Sequence, residues 1–238
     1  MLELIFAIFY KEYKEQRRKT ISIIVLFVIL SAWIFNVIVL IQGLKQFNDK
    51  RILQLITNHL VTHQTLSFYF IICFIFSVSI FYKEKISKTY EVLFVTPLTP
   101  ITVWIGKSIF IYTISLFFSY IGVFFALIII YLFMFPTVHF VIPSFPSIIF
   151  LLIIFPLLSL LFTLFYGLIA ILSKESSLSN LLFFLIGICY MALSSSNIIN
   201  SITWSLLVPY FIVILVLFFV VIFSSKYLTP ERIVLIKK

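Results

Sequence analysis

The sequence predicts an all-α polytopic membrane protein with about six transmembrane helices. An N-terminal interfacial helix and a short cytoplasmic loop helix complete it. Three observations carry this. First, 63% of the 238 residues are hydrophobic and only 11% charged, where a soluble domain is about a quarter charged. Second, the apolar residues lie in uncharged runs long enough to cross a bilayer. Third, Lys and Arg are distributed between the two ends of those runs unevenly. A soluble core of this size cannot hide 30 Phe, 12 Tyr and 3 Trp, whereas lipid accepts them.

The spans follow in order. Residues 21–41 carry no charge, and at 1.5 Å per residue they cross a core of roughly 30 Å. Residues 66–82 form a second uncharged run near the short limit. The stretch 108–173 holds no Asp, Glu, Lys or Arg. It is too long for one span and suits two, with a break where Pro136, His139, Pro143 and Pro146 cluster. The uncharged tract 176–225 also suits two, divided at the polar stretch 194–201, which the reading allows to dip back into the outer leaflet. Spans are therefore expected near 20–42, 65–82, 107–135, 147–173, 178–195 and 204–225, with a cytoplasmic loop at 83–103, in one domain covering 1–238. These runs are apolar on every face, which excludes membrane strands of alternating polarity.

Orientation follows from the basic residues. An even number of spans puts both termini on one side. All of the 17 Lys and Arg fall on that side except Lys45, Lys50 and Arg51. Both ends are thus expected in the cytoplasm, with the protein in the cell membrane. The net charge of +9 belongs to these flanking tracts and to anionic head groups, so no nucleic-acid partner is expected. No cleavable signal is expected either: Glu3, Glu12 and Glu15 precede the first long apolar run.

Within residues 1–19, Leu2, Ile5, Phe6 and Phe9 fall at helical spacing ahead of a charged stretch from Lys11 to Lys19. That pattern predicts an amphipathic helix lying in the inner interface. In the 83–103 loop, Glu84 and Lys88 stand four apart, the better orientation for a helical ion pair. Ile86, Tyr90, Leu93 and Phe94 make one apolar stripe, and Pro97 and Pro100 stop the helix. An exposed stripe is unfavourable in a plain connector. From the residues alone it fits either the membrane interface or a groove on a partner.

Lys83-Glu84-Lys85, Thr89, Glu91, Leu93-Phe94, Thr96-Pro97-Leu98-Thr99 and Gly106-Lys107 together resemble the first intracellular loop of ABC-2 type permeases. These are the membrane subunits of type V ABC exporters. Lys88 stands where that family usually has Gly, and Phe94 also departs from its pattern. The six spans, the interfacial N-terminal helix, the polar break between the last two spans and the ending around Lys226, Glu231 and Arg232 are similar to the family as well. The resemblance implies that residues 83–103 form a coupling helix seated on a separate cytoplasmic ABC ATPase subunit. It further implies that Glu84, Lys85, Lys88, Thr89, Glu91, Leu93, Thr96 and Pro97 serve that contact. The permease would dimerise with itself or a sister permease and export a hydrophobic or amphipathic substrate, with no catalytic motif of its own.

Other motifs fail. Gly106-Lys107-Ser108 ends like a phosphate-binding loop, but Ile101 stands where the first Gly is required, and no cofactor is expected. His59 and His63, four apart, could face one metal, but no third ligand accompanies them. They read as a solvated extracytoplasmic loop. Cys73 and Cys189 read as unpaired thiols in apolar runs. No span carries a central charge, which disfavours a secondary transporter. The mild polar residues Asn36, Ser77, Ser79, Thr113, Ser115, Ser119, Ser159, Thr163 and Asn180 read mainly as helix-packing contacts. Pro156 and Pro209 are expected to kink their spans. The alternatives to the exporter are a non-transport membrane protein, such as an assembly or sensor subunit, and a secondary transporter.

Overall fold

The computed structural model describes residues 2–17, 50–82, 99–129, 142–173 and 204–229. Five helical stretches make up nearly all of these, with no strand among the described residues. Helix α1 is Leu2–Arg17. Helix α2 runs over 50–82 as four continuous pieces, Lys50–His59, Leu60–Gln64, Thr65–Ser77 and Val78–Tyr82. Helix α3 is Pro100–Ile129, α4 is Phe145–Leu172 and α5 is Trp204–Ser225.

Four of these are long and apolar enough to cross a membrane: Gln54–Phe81, Pro100–Ile129, Phe145–Leu172 and Leu207–Ser225. The further spans expected near 20–42 and 178–195 lie outside the described residues, as does most of the 83–103 loop.

Helix α3 opens at a cap the sequence spells out. The Thr102 amide donates to Thr99 Oγ1 at 3.3 Å, and Pro100 takes the first helical position, where its missing N–H is not needed. Pro100 thus opens this helix, and the helix begins earlier than the run of uncharged residues suggests.

Of the three π-helical turns among the described residues, Leu60–Gln64 and Phe150–Ile154 shape the bundle. In α2, the wide turn Leu60–Gln64 leaves carbonyls displaced from their usual partners, and threonines meet them. Thr65 Oγ1 donates towards Leu60 O and Val61 O, and Thr62 Oγ1 towards Asn58 O. In α4, the turn Phe150–Ile154 sits directly before Pro156. Here the Phe155 amide donates to Phe150 O, five residues back. The same pattern one residue on would need an N–H from Pro156, which proline lacks. The Leu151 carbonyl instead accepts from Tyr120 Oη of α3 at 2.8 Å. The proline's effect is therefore a wide turn paired with a tyrosine from the next helix.

Helix α3 packs against α1, α2 and α4, and α4 also packs against α2 and α5. Phe155 is held edge-on between Tyr69 of α2 and Tyr120 of α3, at 5.7 and 5.6 Å between ring centroids. At one end of the bundle α2, α3 and α4 converge on Gly167. A Cβ there would stand 2.8 Å from Ser108 Oγ and 2.9 Å from Phe81, so only glycine lets the three helices close. At the other end, Ser144 N donates to Asn58 Oδ1 at 2.8 Å, and the Phe150 and Tyr210 rings meet at 4.9 Å. Helices α2 and α3 thus run antiparallel, as do α3 and α4, while α4 and α5 run in the same direction. Helix α1 lies at the Gly167 end.

Candidate functional sites

The ATPase-coupling residues read from the sequence, Glu84, Lys85, Lys88, Thr89, Glu91, Leu93, Thr96 and Pro97, lie outside the described residues. The end of the same motif is described. Gly106 and Lys107 form the seat of α1.

Ile8 and Glu12 are one helical turn apart on α1, so both face α3. Ile8 packs where Gly106 has no side chain: a Cβ on Gly106 would approach Ile8 Cγ2 to 3.0 Å. One turn further along α1, Lys107 Nζ donates to Glu12 Oε1 at 2.8 Å. The two side chains are 1% and 2% exposed. Phe9 adds an edge-on contact with Phe110, 5.3 Å between centroids. A buried ion pair is held by geometry and by its partner, since either charge alone in this environment is costly. It therefore fixes one register of α1 on α3. Sequence reading placed Lys107 among the basic flanking residues and did not pair it with Glu12. The available signal was that Glu12 shares a helical face with Ile8, apart from the solvated charges around it.

The second polar site overturns an expectation. His59 and His63 do not sit in a solvated loop. They lie in α2, within the apolar stretch Gln54–Phe81, with His59 only 3% exposed. The charges at Lys50 and Arg51 made this segment read as a loop, but α2 continues through it. The two rings stand 5.3 Å apart, and Tyr210 Oη of α5 lies 3.5 Å from His63 Nδ1. His59 Nε2 has no hydrogen-bond partner among the described residues. No group of three or more His, Cys, Asp or Glu that could hold a metal occurs among them. This site joins α2, α4 and α5 where the π-helical turns Leu60–Gln64 and Phe150–Ile154 pack together.

Between the two sites runs a neutral polar seam. Tyr69 Oη donates to Ser159 O at 2.9 Å and also meets Thr163 Oγ1. Cys73, a free and buried thiol, lies 3.6 Å from Thr163 Oγ1 and 3.8 Å from Ser77 Oγ. Trp104 Nε1 donates to Leu164 O at 3.0 Å. Ser77, Ser115, Ser119, Ser159 and Thr163 are all buried, in keeping with helix packing. Thr113 is exposed and bonds its own helix at Ile109 O. Asn36, Asn180 and Cys189 lie outside the described residues.

No family model, no curated protein and no solved structure matches this chain.

Proposed function

We propose that the chain is the membrane-spanning permease subunit of an ATP-driven exporter of the ABC-2 type. It would have six spans and both termini in the cytoplasm. A separate ATPase subunit would supply hydrolysis, and a second permease, identical or related, would complete the transport path. The single observation that carries this reading is the double use of Gly106-Lys107. The dipeptide closes the permease-like motif that begins at Lys83, and the same two residues seat α1 through Ile8 and Glu12. Displacement of the 83–98 segment by an ATPase would reach α3 directly at its capped start. It would reach α1 through the ion pair.

The helix directions support the count of six. Helix α1 lies at the end where α2 finishes and α3 starts, but α2 starts at the opposite end. Helix α4 finishes at the α1 end, whereas α5 starts at the other. One further span in each of the connections 18–49 and 174–203 would join these ends.

The test is affinity capture of the tagged protein from mild detergent, probed for a Walker-motif ATPase. The expected result is co-purification that is lost, together with export, in the double variant Glu84→Lys and Glu91→Lys, while membrane insertion is retained. Unchanged export and capture in that variant would sink the reading.

One observation favours a second reading, an ion-coupled transporter. Buried His59 and its neighbour His63 supply the ionisable group within a span that such a mechanism uses. Transport by liposomes holding this chain alone, driven by a proton gradient and abolished by His59→Ala, would establish that reading over the first.

A further inference from the structure

Three donor groups meet towards the end of the bundle away from α1. His59 Nε2 is buried with no hydrogen-bond partner among the described residues. A buried polar atom left in that way points to an ion or a water. His63 stands four residues on, so both imidazoles lie on one face of α2, with their rings 5.3 Å apart and tilted by 37°. The same spacing brings two histidines to one metal in H-E-x-x-H helices. Tyr210 reaches the pair from α5, with Oη 3.5 Å from His63 Nδ1. That separation is long for a hydrogen bond from a hydroxyl. It is close to the roughly 3.3–3.4 Å between two ligands that stand 2.0–2.1 Å from one tetrahedral ion. His59 lies about 33 Å along α2 from Phe81, at 1.5 Å per residue, and Lys83 ends the apolar run just past Phe81. That exceeds a hydrocarbon core of roughly 30 Å. The cluster therefore reaches head-group depth, and partly exposed His63 and Tyr210 leave an entry from the aqueous side.

We propose that His59, His63 and Tyr210 bind one divalent transition-metal ion, of the class of Zn(II) or Cu(II), which ties α5 to α2. Imidazole nitrogens suit these ions, whereas Mg(II) and Ca(II) take oxygen ligands. Tyr210 would bind as the phenolate and release its proton to water, so that its negative charge offsets part of the charge of the ion. The sequence showed only the two histidines. The third donor stands 147 residues from His63, on another helix. The ion would add a fixed link to a helix whose most membrane-like window is only 11% buried, at a point where the Tyr210 ring already packs on Phe150. The proposal does not use the exporter reading, so failure of the ATPase capture leaves it standing.

The test uses the full chain in detergent, purified through a tag without histidines. Retained metal is measured after dialysis against Zn(II), Cu(II) or Mg(II), and thermal unfolding is recorded with each. One equivalent of Zn(II) or Cu(II) should be retained and should raise the unfolding midpoint, while Mg(II) should do neither. The Cu(II) form should show a tyrosinate-to-copper charge-transfer absorption. His59→Ala should abolish retention. Tyr210→Phe keeps the ring on Phe150. It should remove the absorption and weaken binding by about tenfold or more, at least the loss that a supporting residue alone causes. His139→Ala, which removes the third histidine of the chain, should leave both readouts unchanged. No retained ion in the unaltered chain overturns the proposal. So does retention that survives His59→Ala or depends on His139, which would mean adventitious binding elsewhere. Unchanged affinity in Tyr210→Phe would mean chelation by two histidines alone, and overturns it as well.

Discussion

Helices α2 and α5 are both apolar, but the bundle uses them in opposite ways. In α2, 67% of the most membrane-like window is buried; in α5, only 11% is. Yet α5 is the more apolar, with a mean hydropathy of 3.0 against 1.9. In water the ordering would be reversed, because burial follows hydrophobicity. In lipid there is nothing to gain by hiding Phe219 or Val216, since acyl chains are as apolar as those side chains. What has to be hidden is polarity. Helix α2 carries Thr62, Gln64, Thr65, Ser67, Tyr69 and Ser77 inward, and its hydroxyls find carbonyls and neighbouring hydroxyls. Helix α5 carries few such groups and stands at the edge, touching the bundle mainly through α4. The comparison teaches that polar side chains, more than greasy ones, set which helix sits in the middle.

The comparison can be broken most sharply at the ion pair. Lys107→Met strands Glu12 and should cost about 3–5 kcal/mol, read as a large fall in the unfolding midpoint in detergent. Adding Glu12→Leu should recover most of that loss. A mild single variant would show that the pair is open to water. Next in size is Val216→Lys on the exposed face of α5. It should disfavour membrane insertion by about 2.5–3.5 kcal/mol, measurable with a glycosylation-tagged insertion assay. Free insertion would mean that this face meets water or a polar partner.

Smaller effects sharpen the same contrast. Tyr69→Phe removes only a hydroxyl, but leaves Ser159 O and Thr163 Oγ1 without it. A loss of about 0.6–1.7 kcal/mol is expected in chemical denaturation from mixed micelles. Phe219→Leu keeps an apolar side chain on α5 and should change stability by less than about 0.5 kcal/mol in the same measurement. If Phe219→Leu proved the costlier of the two, α5 would be packed against protein and the contrast between the helices would fail.

Much of the fold was legible because lipid imposes a simple rule. Uncharged runs of sufficient length become helices; α4 and α5 lie within such runs, and most of α3 does, although it starts before its run, at Pro100. In the sequence Pro100 reads only as the stop of the loop helix before it, whereas Thr99 and Pro100 open α3. The extent of α2 was not legible. Lys50, Arg51, Asn58, His59 and His63 break the apolar run, but helix geometry turns Asn58 and His59 inward, where Ser144 and the facing π-helical turn cover them. The polar seam was anticipated as packing residues without its partners, because Tyr69 and Thr163 are far apart in sequence. The ion pair was hidden for the same reason. Lys107 looked like one more inner-side charge until Glu12 was found across from it.

The sequence by itself determined that the chain is helical, that its helices suit a membrane and that its basic residues gather in short tracts outside the longest uncharged runs. These properties depend on residue type and run length, which solvent transfer energies read locally. Only the tertiary structure decided that Gly106 admits Ile8, that Lys107 meets Glu12, that Tyr120 replaces the donor Pro156 lacks, and that the most apolar of the described spans is the least buried. Each of these depends on which helix faces which, and that is settled by pairing buried polar groups across the bundle, where no local pattern records the partner.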